Sequence, residues 1–168
     1  MKKLYIMVGI PAAGKSTYIK EFIKRNPNTK VISRDNVRFS MVSENEPYFS
    51  KEKLVFNEFI NQIKESLINN EITFADATHI STSSRIKLLK ALGSSLKNIE
   101  VNALVFKVPL KVCLERNAKR VGRTKVPDDA IINMNNNFTI PTLIEGFNKI
   151  IINHVDGNGN LLKVEEVI

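Results

Sequence analysis

The segment GIPAAGKS, residues 9–16, matches the pattern G-x-x-x-x-G-K-[ST] at every fixed position. Its two glycines allow the backbone to wrap a phosphate with the N–H groups turned inward. An apolar run at residues 4–8 precedes the segment, and a helical pattern at residues 15–25 follows it. This strand–loop–helix context is the one that a phosphate-binding loop (P-loop) requires, because the positive end of the helix adds to anion binding.

The chemistry of the segment predicts ATP as co-substrate and Mg²⁺ as cofactor. The Lys15 ammonium is expected to bridge the β- and γ-phosphates, and the Ser16 hydroxyl is expected to bind Mg²⁺. The residues predicted to hold the nucleotide are Gly9, Ala12, Ala13, Gly14, Lys15, Ser16 and Thr17, together with Arg116 and Arg123 further along the chain.

Strand and helix patterns alternate along the rest of the chain. Apolar runs predict strands at residues 4–8, 31–32, 72–75, 101–108 and 150–152. Helical spacing predicts helices at residues 15–25, 54–68, 84–92 and 110–119, and a further helix with Pro127 at its first position. This alternation predicts an α/β fold, a single-domain P-loop sandwich of three layers over residues 1–168 with a central, mostly parallel sheet.

Two further segments differ from this alternation, one of them basic and the other rich in turn residues. A basic lid of helical character is predicted at roughly residues 116–127. The turn-rich residues 156–160 are expected to form a hairpin, whereas residues 141–168 carry no functional assignment from their sequence.

Composition narrows the class of protein. The chain has 25 Lys and Arg against 17 Asp and Glu, a formal charge of +8 that favours polyanionic partners. The one cysteine, Cys113, lies in an apolar run and is expected to be a buried thiol, which excludes an intramolecular disulfide. No apolar run approaches the roughly 20 residues of a membrane span, and no signal-peptide cleavage pattern follows the N-terminal lysines, so a cytoplasmic location is expected.

Two patterns that a Ras-like GTPase needs are absent. Asp76 is followed by Ala-Thr-His instead of completing D-x-x-G, and Asn148-Lys149 is followed by Ile-Ile instead of completing N-K-x-D. A small kinase remains, and such a kinase needs a carboxylate for the acceptor hydroxyl and a cationic lid.

Asp35 and Arg38 follow the predicted second strand. A carboxylate at the carboxyl end of a strand beside the P-loop is well placed to accept or orient the proton of an acceptor hydroxyl. Arg38, three residues further on, could hold an acceptor phosphate in a bidentate grip. A surface ion pair at a helix start is the alternative interpretation.

Asp76 ends the predicted third strand, where an acidic residue reaches Mg²⁺ through water, orients another side chain or caps the following turn. The sequence leaves these choices open. His79 is interpreted as a structural residue, because no partner ligands for a metal accompany it.

A basic cluster follows the predicted helix at residues 110–119. Arg116 and Arg120 are four residues apart and are expected to share a helix face, and Arg123 follows. One arginine of a lid can stabilise the charge on a transferring phosphoryl group and contribute about 10³–10⁵ in rate. The alternative is a solvated basic face that complements the carboxyl end of a helix.

The chain resembles the 5′-kinase domain of phage-type polynucleotide kinases over roughly residues 1–140. The pieces that carry the resemblance are residues 9–17, the Arg34-Asp35-x-x-Arg38 segment, Asp76-Ala77-Thr78, Arg85, residues 105–109, Arg116-Asn117-x-x-Arg120 and Val126-Pro127. The P-loop is shared with many kinases, whereas the combination of the two arginine segments is more specific.

The resemblance implies a polynucleotide 5′-hydroxyl kinase that transfers the ATP γ-phosphate to DNA or RNA. Asp35 would act as general base on the 5′-hydroxyl, Arg38 would contact the 3′-side phosphate, and Asp76 with Thr78 would line the acceptor site. Arg120 would be the lid arginine and Arg116 would support it, although Val121-Gly122-Arg123 departs from the family pattern and leaves Arg123 as an alternative.

The 3′-phosphatase motif of the bifunctional family members, D-x-D-x-T, is absent, so kinase activity without phosphatase activity is expected. Two other functions stay open. A kinase for a small-molecule hydroxyl, such as a sugar, nucleoside, antibiotic or nucleotide sugar, shares the P-loop, the base and the lid. A non-catalytic module that binds ATP or nucleic acid is the second alternative.

Overall fold

The computed structural model describes residues 1–168, which form one six-stranded sheet and six α-helices. The strands are β1 (Lys2–Val8), β2 (Thr29–Ser33), β3 (Ile72–Asp76), β4 (Ile99–Lys107), β5 (Lys149–Val155) and β6 (Leu161–Val167). The helices are α1 (Lys15–Arg25), α2 (Arg34–Met41), α3 (Glu52–Asn69), α4 (Thr82–Leu92), α5 (Leu110–Ala118) and α6 (Asp128–Asn136). None of these helices combines the length and the apolar character that crossing a bilayer demands.

The sheet has the strand order β2-β3-β1-β4-β5-β6. The first five strands are parallel, and only β6 runs antiparallel to its neighbour β5. The carboxyl ends of β1, β2 and β3 therefore meet at one edge of the sheet, where open α/β sheets bind their ligands. The predicted α/β sandwich with a mostly parallel sheet is confirmed.

Two apolar cores cover the two faces of the sheet. Side chains of α3 and α4 pack with alternate residues of β1, such as Leu4 and Ile6, on one face. Side chains of α1, α5 and α6 pack with Met7 on the other face, where the fully buried Cys113 thiol also lies. The central strands are apolar on both faces because both are covered.

The predicted elements are present, and their differences from the structure are local. Pro127 lies one position before α6, because its ψ of 136° is extended, so the helix begins at Asp128. The prediction that Pro127 is the first helical residue was wrong by that one position. The predicted hairpin at residues 156–160 is confirmed, since the Asp156 N–H donates to the Asn160 carbonyl at 2.9 Å. Residues 161–167, which had no assigned structure, complete that hairpin as β6.

The basic segment at residues 116–127 begins in α5 and continues as a loop with one 3₁₀ turn, Gly122–Thr124. Because α5 ends at Ala118, Arg116 and Arg120 do not share a helical face as expected. The Asn117 side chain, fully buried, holds the loop: its amide donates to the Val126 carbonyl at 2.7 Å and accepts from the Val126 N–H at 3.1 Å.

A buried ion pair joins α4 to the segment after α6. Arg85 is fully buried and donates to both Glu145 carboxylate oxygens, at 2.7 and 2.9 Å. It also donates to the carbonyls of His79 and Thr139, both at 3.0 Å. These partners lie far apart in the chain, so Arg85 is a structural clasp and not part of the site described below.

Removal of one partner of this ion pair should destabilise the fold strongly. Glu145→Gln leaves the buried Arg85 charge without its counter-charge, and breaking such a pair costs about 3–5 kcal/mol. Urea unfolding followed by circular dichroism measures the change. Lys111→Ala, which removes an exposed pair with Glu115, is the matched control and should change the free energy of unfolding by less than about 0.5 kcal/mol. Equal effects of the two substitutions would contradict the clasp.

Candidate active site

The P-loop connects β1 to α1 and has the backbone shape of an anion cradle. Ala12 and Gly14 adopt left-handed conformations, with φ of 63° and 101°. The backbone N–H groups of residues 14–17 donate to no protein acceptor. They lie between the Ala13 N–H, which donates to the Ile10 carbonyl at 3.3 Å, and the Tyr18 N–H, which donates to the Gly14 carbonyl at 3.1 Å. These free donors at the positive end of α1 form a site for the phosphates of a nucleotide.

Gly9 lies where the loop touches its neighbouring strands. A Cβ at this position would lie 3.2 Å from the Phe106 Cβ and 3.4 Å from the Phe106 carbonyl oxygen of β4. On the other side, the Gly9 N–H donates to the Thr78 carbonyl at 2.9 Å, which attaches the P-loop to the segment after β3. A side chain at Gly9 would therefore displace the cradle.

Lys15 is the cation at the centre of the site. Its ammonium donates to the carbonyls of Gly9 at 2.8 Å and Ile10 at 3.0 Å. Burial lowers the pKa of Lys15 to about 8, and the Arg120 cation adds to the decrease, while the carboxylates of Asp76 and Asp35 oppose it. The charges of Asp35, Asp76 and Arg120 therefore all act on the Lys15 ammonium.

Asp76 lies at the carboxyl end of β3, where it pairs in register with Ser33 at the end of β2. Burial raises the pKa of Asp76, the Lys15 ammonium counteracts this, and the Asp35 carboxylate adds to the increase. The two acidic residues predicted from the sequence are thus brought together beside the lysine. Thr78, the other residue predicted for acceptor binding, contacts the P-loop through its carbonyl.

The donor set fits Mg²⁺. The structure has no cluster of three or more His, Cys, Asp or Glu side chains that could hold a metal ion. Magnesium in phosphotransfer sites keeps several waters, takes one or two protein oxygens and completes its shell with phosphate oxygens. The exposed Ser16 hydroxyl at the start of α1 and the Asp76 carboxylate can supply those oxygens.

Asp35 and Arg38 lie one turn apart on α2, which starts after the N-cap residue Ser33. Arg38 is buried, and its guanidinium donates to the Asp35 carboxylate at 2.8 Å and to the Tyr48 hydroxyl at 2.9 Å. The Tyr48 hydroxyl in turn donates to the same Asp35 oxygen at 2.8 Å. Asp35, Arg38 and Tyr48 therefore form a closed triangle of hydrogen bonds.

Glu52 completes this cluster and was not found from the sequence. It lies in the first turn of α3, pairs with Arg34 and accepts from Arg38 at 2.9 Å. Two arginines four residues apart on one helix favour a nearby acidic partner, and this is the only indication of Glu52 that the sequence contains. Nothing in the spacing identifies which of the acidic residues that follow supplies it.

Arg116 connects the P-loop to the hairpin turn. Its guanidinium donates to the Gly159 carbonyl at 3.1 Å and, with a long bond of 3.4 Å, to the Ala12 carbonyl of the P-loop. The turn at residues 156–160, for which the sequence predicts no function, is thereby connected to the P-loop. Its glycine at position 159 has a φ of +86°, and a Cβ there would lie 2.9 Å from Arg116 Nη2.

The other two lid arginines point to different parts of the site. Arg120 donates to the Thr124 carbonyl at 3.3 Å, and its charge faces Lys15. Arg123 instead contacts the acceptor side: it donates to the Val42 carbonyl at 2.7 Å, and its guanidinium lies 4.3 Å from the Phe39 ring centre.

His79 is buried below the P-loop. Its Nδ1 lies 2.9 Å from the Met7 carbonyl oxygen, and its ring stacks against Phe59. Burial lowers the pKa of His79 to about 4, so the imidazole is neutral near pH 7 and its Nδ1 donates to that carbonyl. These contacts agree with the structural interpretation of His79.

The part of the chain that contains the P-loop and the basic segment matches a known family. A family model described as an AAA domain matches residues 4–141. The chain belongs to this AAA domain family. The fold is that of a P-loop kinase, and the P-loop implies ATP binding.

Individual relatives agree on the kinase fold and differ in acceptor. The L-seryl-tRNA(Sec) kinase of Methanococcus maripaludis is 31% identical over 144 residues, which are 82% of this chain and 53% of that protein. The chain thus spans about half the length of this curated relative.

Two solved structures have the same fold. A structure of the Pnkp1/Rnl/Hen1 RNA repair complex superposes with a TM-score of 0.66 at 25% identity, over 81% of this chain and 43% of the matched chain. A fungal RNA kinase superposes with a TM-score of 0.64 at 12% identity, over 95% of this chain and 77% of the other. The second likeness shows the fold alone.

ATP affinity should fall as pH rises above the pKa of Lys15. The free protein loses the Lys15 proton near pH 8, whereas the phosphates of bound ATP keep the ammonium charged. Binding above pH 8 then requires proton uptake, so the Kd for ATP should rise roughly tenfold between pH 7 and pH 9, since each unit of pKa shift corresponds to a factor of ten.

Isothermal titration in two buffers of different ionisation enthalpy measures both the Kd and the proton uptake. Lys15→Arg is the control, because arginine stays charged over this range and should show no such pH dependence. A wild-type Kd that is constant from pH 7 to pH 9 would rule out a lowered Lys15 pKa.

Proposed function

We propose that this chain is a polynucleotide 5′-hydroxyl kinase, which transfers the γ-phosphoryl group of ATP to the 5′-hydroxyl of a DNA or RNA strand. The observation that carries the proposal is that Asp76 ends β3 in register with Ser33, two residues before Asp35. Both carboxylates and Arg120 are near enough for their charges to act on Lys15. A base for an acceptor hydroxyl, a carboxylate for the metal and a lid cation then surround the place where the γ-phosphate would lie.

The nucleotide half of the reaction uses the P-loop. The free N–H groups of residues 14–17 bind the phosphates, and Lys15 leaves the carbonyls of Gly9 and Ile10 to bridge the β- and γ-phosphates. Mg²⁺, held by the Ser16 hydroxyl and the Asp76 carboxylate, supplies neutralisation of the phosphate charge when it is bound.

The acceptor half of the reaction uses α2. Asp35 accepts the proton of the 5′-hydroxyl as the new bond to phosphorus forms, and its exposed side chain leaves room for the incoming strand. Arg38 binds the phosphate on the 3′ side of the terminal nucleotide, which requires it to exchange part of its present hydrogen bonding. Glu52 holds Arg38 and Arg34 in place throughout.

The lid arginines divide the work between the two substrates. Arg120, whose charge faces Lys15, stabilises the charge on the transferring phosphoryl group. Arg116 holds the nucleotide side through its bonds to the P-loop and the hairpin turn. Arg123 takes the acceptor side, since it already contacts Phe39 and the Val42 carbonyl of α2.

A nucleic acid is favoured as acceptor for two reasons. The formal charge of +8 attracts polyanions. In addition, Arg34 and Arg38 lie beside Asp35, the proposed general base. Among the structural neighbours, the chain of the RNA repair complex has 25% identity to this one, which supports an RNA-related acceptor.

A second acceptor is favoured by one specific observation. The relative with 31% identity acts on L-seryl-tRNA(Sec), in which a serine esterified to an RNA end through its carboxyl group keeps a free hydroxyl. The same Asp35 and lid could serve a primary alcohol on a charged tRNA. A seryl-tRNA therefore belongs in the acceptor panel beside the 5′-hydroxyl strands.

Label from γ-³²P-ATP should appear at the 5′ end of a 5′-hydroxyl oligonucleotide when Mg²⁺ is present. Lys15→Ala should reduce the transfer rate by roughly 10²–10³, the cost of losing one preorganised charge-stabilising donor, while circular dichroism and urea unfolding change little. The panel contains single strands of DNA and RNA, seryl-tRNA, sugars and nucleosides.

Transfer to seryl-tRNA alone, or to a small molecule alone, would retain the P-loop kinase and refute the 5′-kinase. Salt gives an independent control. The KM for a strand held by about three phosphate contacts should rise roughly tenfold or more between 50 and 200 mM salt, whereas that for a neutral sugar should stay constant.

Asp35→Asn should separate chemistry from nucleotide binding. Loss of the general base should lower kcat by roughly 10²–10⁴, because that is the contribution of a positioned proton acceptor. The Kd for ATP should stay within about twofold, since the P-loop is intact. Asp129→Asn, an exposed substitution at the start of α6, is the matched control. Normal turnover of Asp35→Asn across pH would exclude Asp35 as the base.

A further inference from the structure

The segment between α2 and α3, residues 42–51, presents two adjacent aromatic side chains at the proposed acceptor site. Tyr48 is 41% exposed and Phe49 is 65% exposed. Their ring centres lie 4.8 Å apart at an angle of 86°, and the Phe39 ring lies 6.5 Å from Tyr48. Neither ring belongs to the apolar cores of the protein.

Tyr48 is attached to the residues that would handle the acceptor. Its hydroxyl donates to the Asp35 carboxylate at 2.8 Å and accepts from Arg38 at 2.9 Å, while the Arg38 guanidinium lies 4.4 Å from the Tyr48 ring centre. Burial and the Asp35 carboxylate raise the pKa of Tyr48 to about 12, so this hydroxyl keeps its proton and remains a donor.

An acceptor hydroxyl needs the contact that Tyr48 makes in this structure. A 5′-hydroxyl approaching the general base must donate to Asp35, and its neighbouring phosphate must reach Arg38. In this structure the Tyr48 hydroxyl is hydrogen-bonded to both of these side chains. Entry of a strand therefore replaces the tyrosine hydroxyl and leaves the two aromatic rings beside the terminal nucleotide, whose base is attached to the sugar that carries the reacting hydroxyl.

We propose that the Phe49 ring, which the perpendicular Tyr48 ring supports edge to face, is the surface on which the 5′-terminal base of the acceptor strand stacks, and that the Tyr48 hydroxyl holds Asp35 until the acceptor hydroxyl replaces it. This inference rests on the proposed 5′-kinase function. Stacking suits a kinase that accepts strands of any sequence, because every base offers a π-face.

A packing role for the two rings, as a cover over Arg38, makes a different prediction. A cover would affect strands with and without a terminal base equally, because its effect would pass through Arg38 and the phosphate. A stacking surface distinguishes the two strands. The ratio of KM values for an abasic and a normal 5′-terminal nucleotide therefore separates the two roles.

The test uses two 5′-hydroxyl strands that differ only in the terminal nucleotide, one with 2-aminopurine and one abasic. The wild-type KM should be roughly 5- to 150-fold lower for the strand with the base, the range that stacking on aromatic side chains covers. The fluorescence of the 2-aminopurine strand should be quenched when the wild-type protein binds it. Phe49→Ala should bring the KM ratio close to one and remove most of the quenching.

Tyr48→Phe keeps the ring and removes the hydroxyl that competes for Asp35. Its KM for both strands should fall below the wild-type value, and the ratio between the strands should persist. Ile144→Ala is the matched control, because Ile144 is 99% exposed in the 3₁₀ helix Leu143–Glu145, apart from the acceptor residues. Circular dichroism verifies the fold of each variant, and Phe49→Leu, which keeps an apolar side chain without a π-face, should also lose the ratio.

The outcomes separate the inference from the function on which it rests. Phosphate transfer to both strands with equal wild-type KM values, or an unchanged ratio in Phe49→Ala, would overturn the stacking surface and leave the 5′-kinase intact. A Tyr48→Phe variant with a higher KM would overturn the role of its hydroxyl. Absence of transfer to any 5′-hydroxyl strand would overturn the proposed function and the inference together.

Discussion

The partly enclosed ammonium of Lys15 is the constraint on which the active-site region depends. A cation withdrawn from water needs nearby acceptors or anions, and the carbonyls of Gly9 and Ile10 supply them within the loop itself. The carboxylates of Asp35 and Asp76 lie close enough to stabilise its charge. A parallel sheet brings these carbonyls and carboxylates to one place, because the carboxyl ends of its central strands meet at one edge.

The proposed acceptor site depends on a second charge, the guanidinium of Arg38. Arg38 is buried on α2, and a buried guanidinium is stable only when carboxylates and hydroxyls satisfy it. Glu52 of α3 and Asp35 of α2 accept from its two terminal nitrogens, and the Tyr48 hydroxyl of the connecting segment accepts a further bond, whereas Arg38 Nε has no partner. The segment that joins these helices is therefore attached to the site by the same charges that would bind an acceptor phosphate.

The basic segment at residues 116–127 lies between the P-loop and the carboxyl end of α2. At its start Arg116 contacts the P-loop and the β5–β6 turn, and near its middle Arg123 contacts Phe39 and the carboxyl end of α2. Arg120 lies between them with its charge toward Lys15. A movement of this segment would therefore change its contacts with the P-loop and with α2 together.

The sequence by itself determined the fold class, the nucleotide site and the catalytic candidates, because the P-loop pattern and the alternating apolar runs are local in the chain. It could not determine Glu52 or Tyr48 as partners of Arg38, since these contacts depend on how α2 and the following segment return over the sheet edge. The roles of Gly159 and of β6 were equally hidden, because their contacts with Arg116 and β5 exist only after the hairpin closes on the sheet. Arg116 and Arg120 are four residues apart, a spacing that would place them on one face of a helix. They do not share a face, because α5 ends between them at Ala118. Local spacing therefore identified the chemical groups, and tertiary packing decided which of them meet.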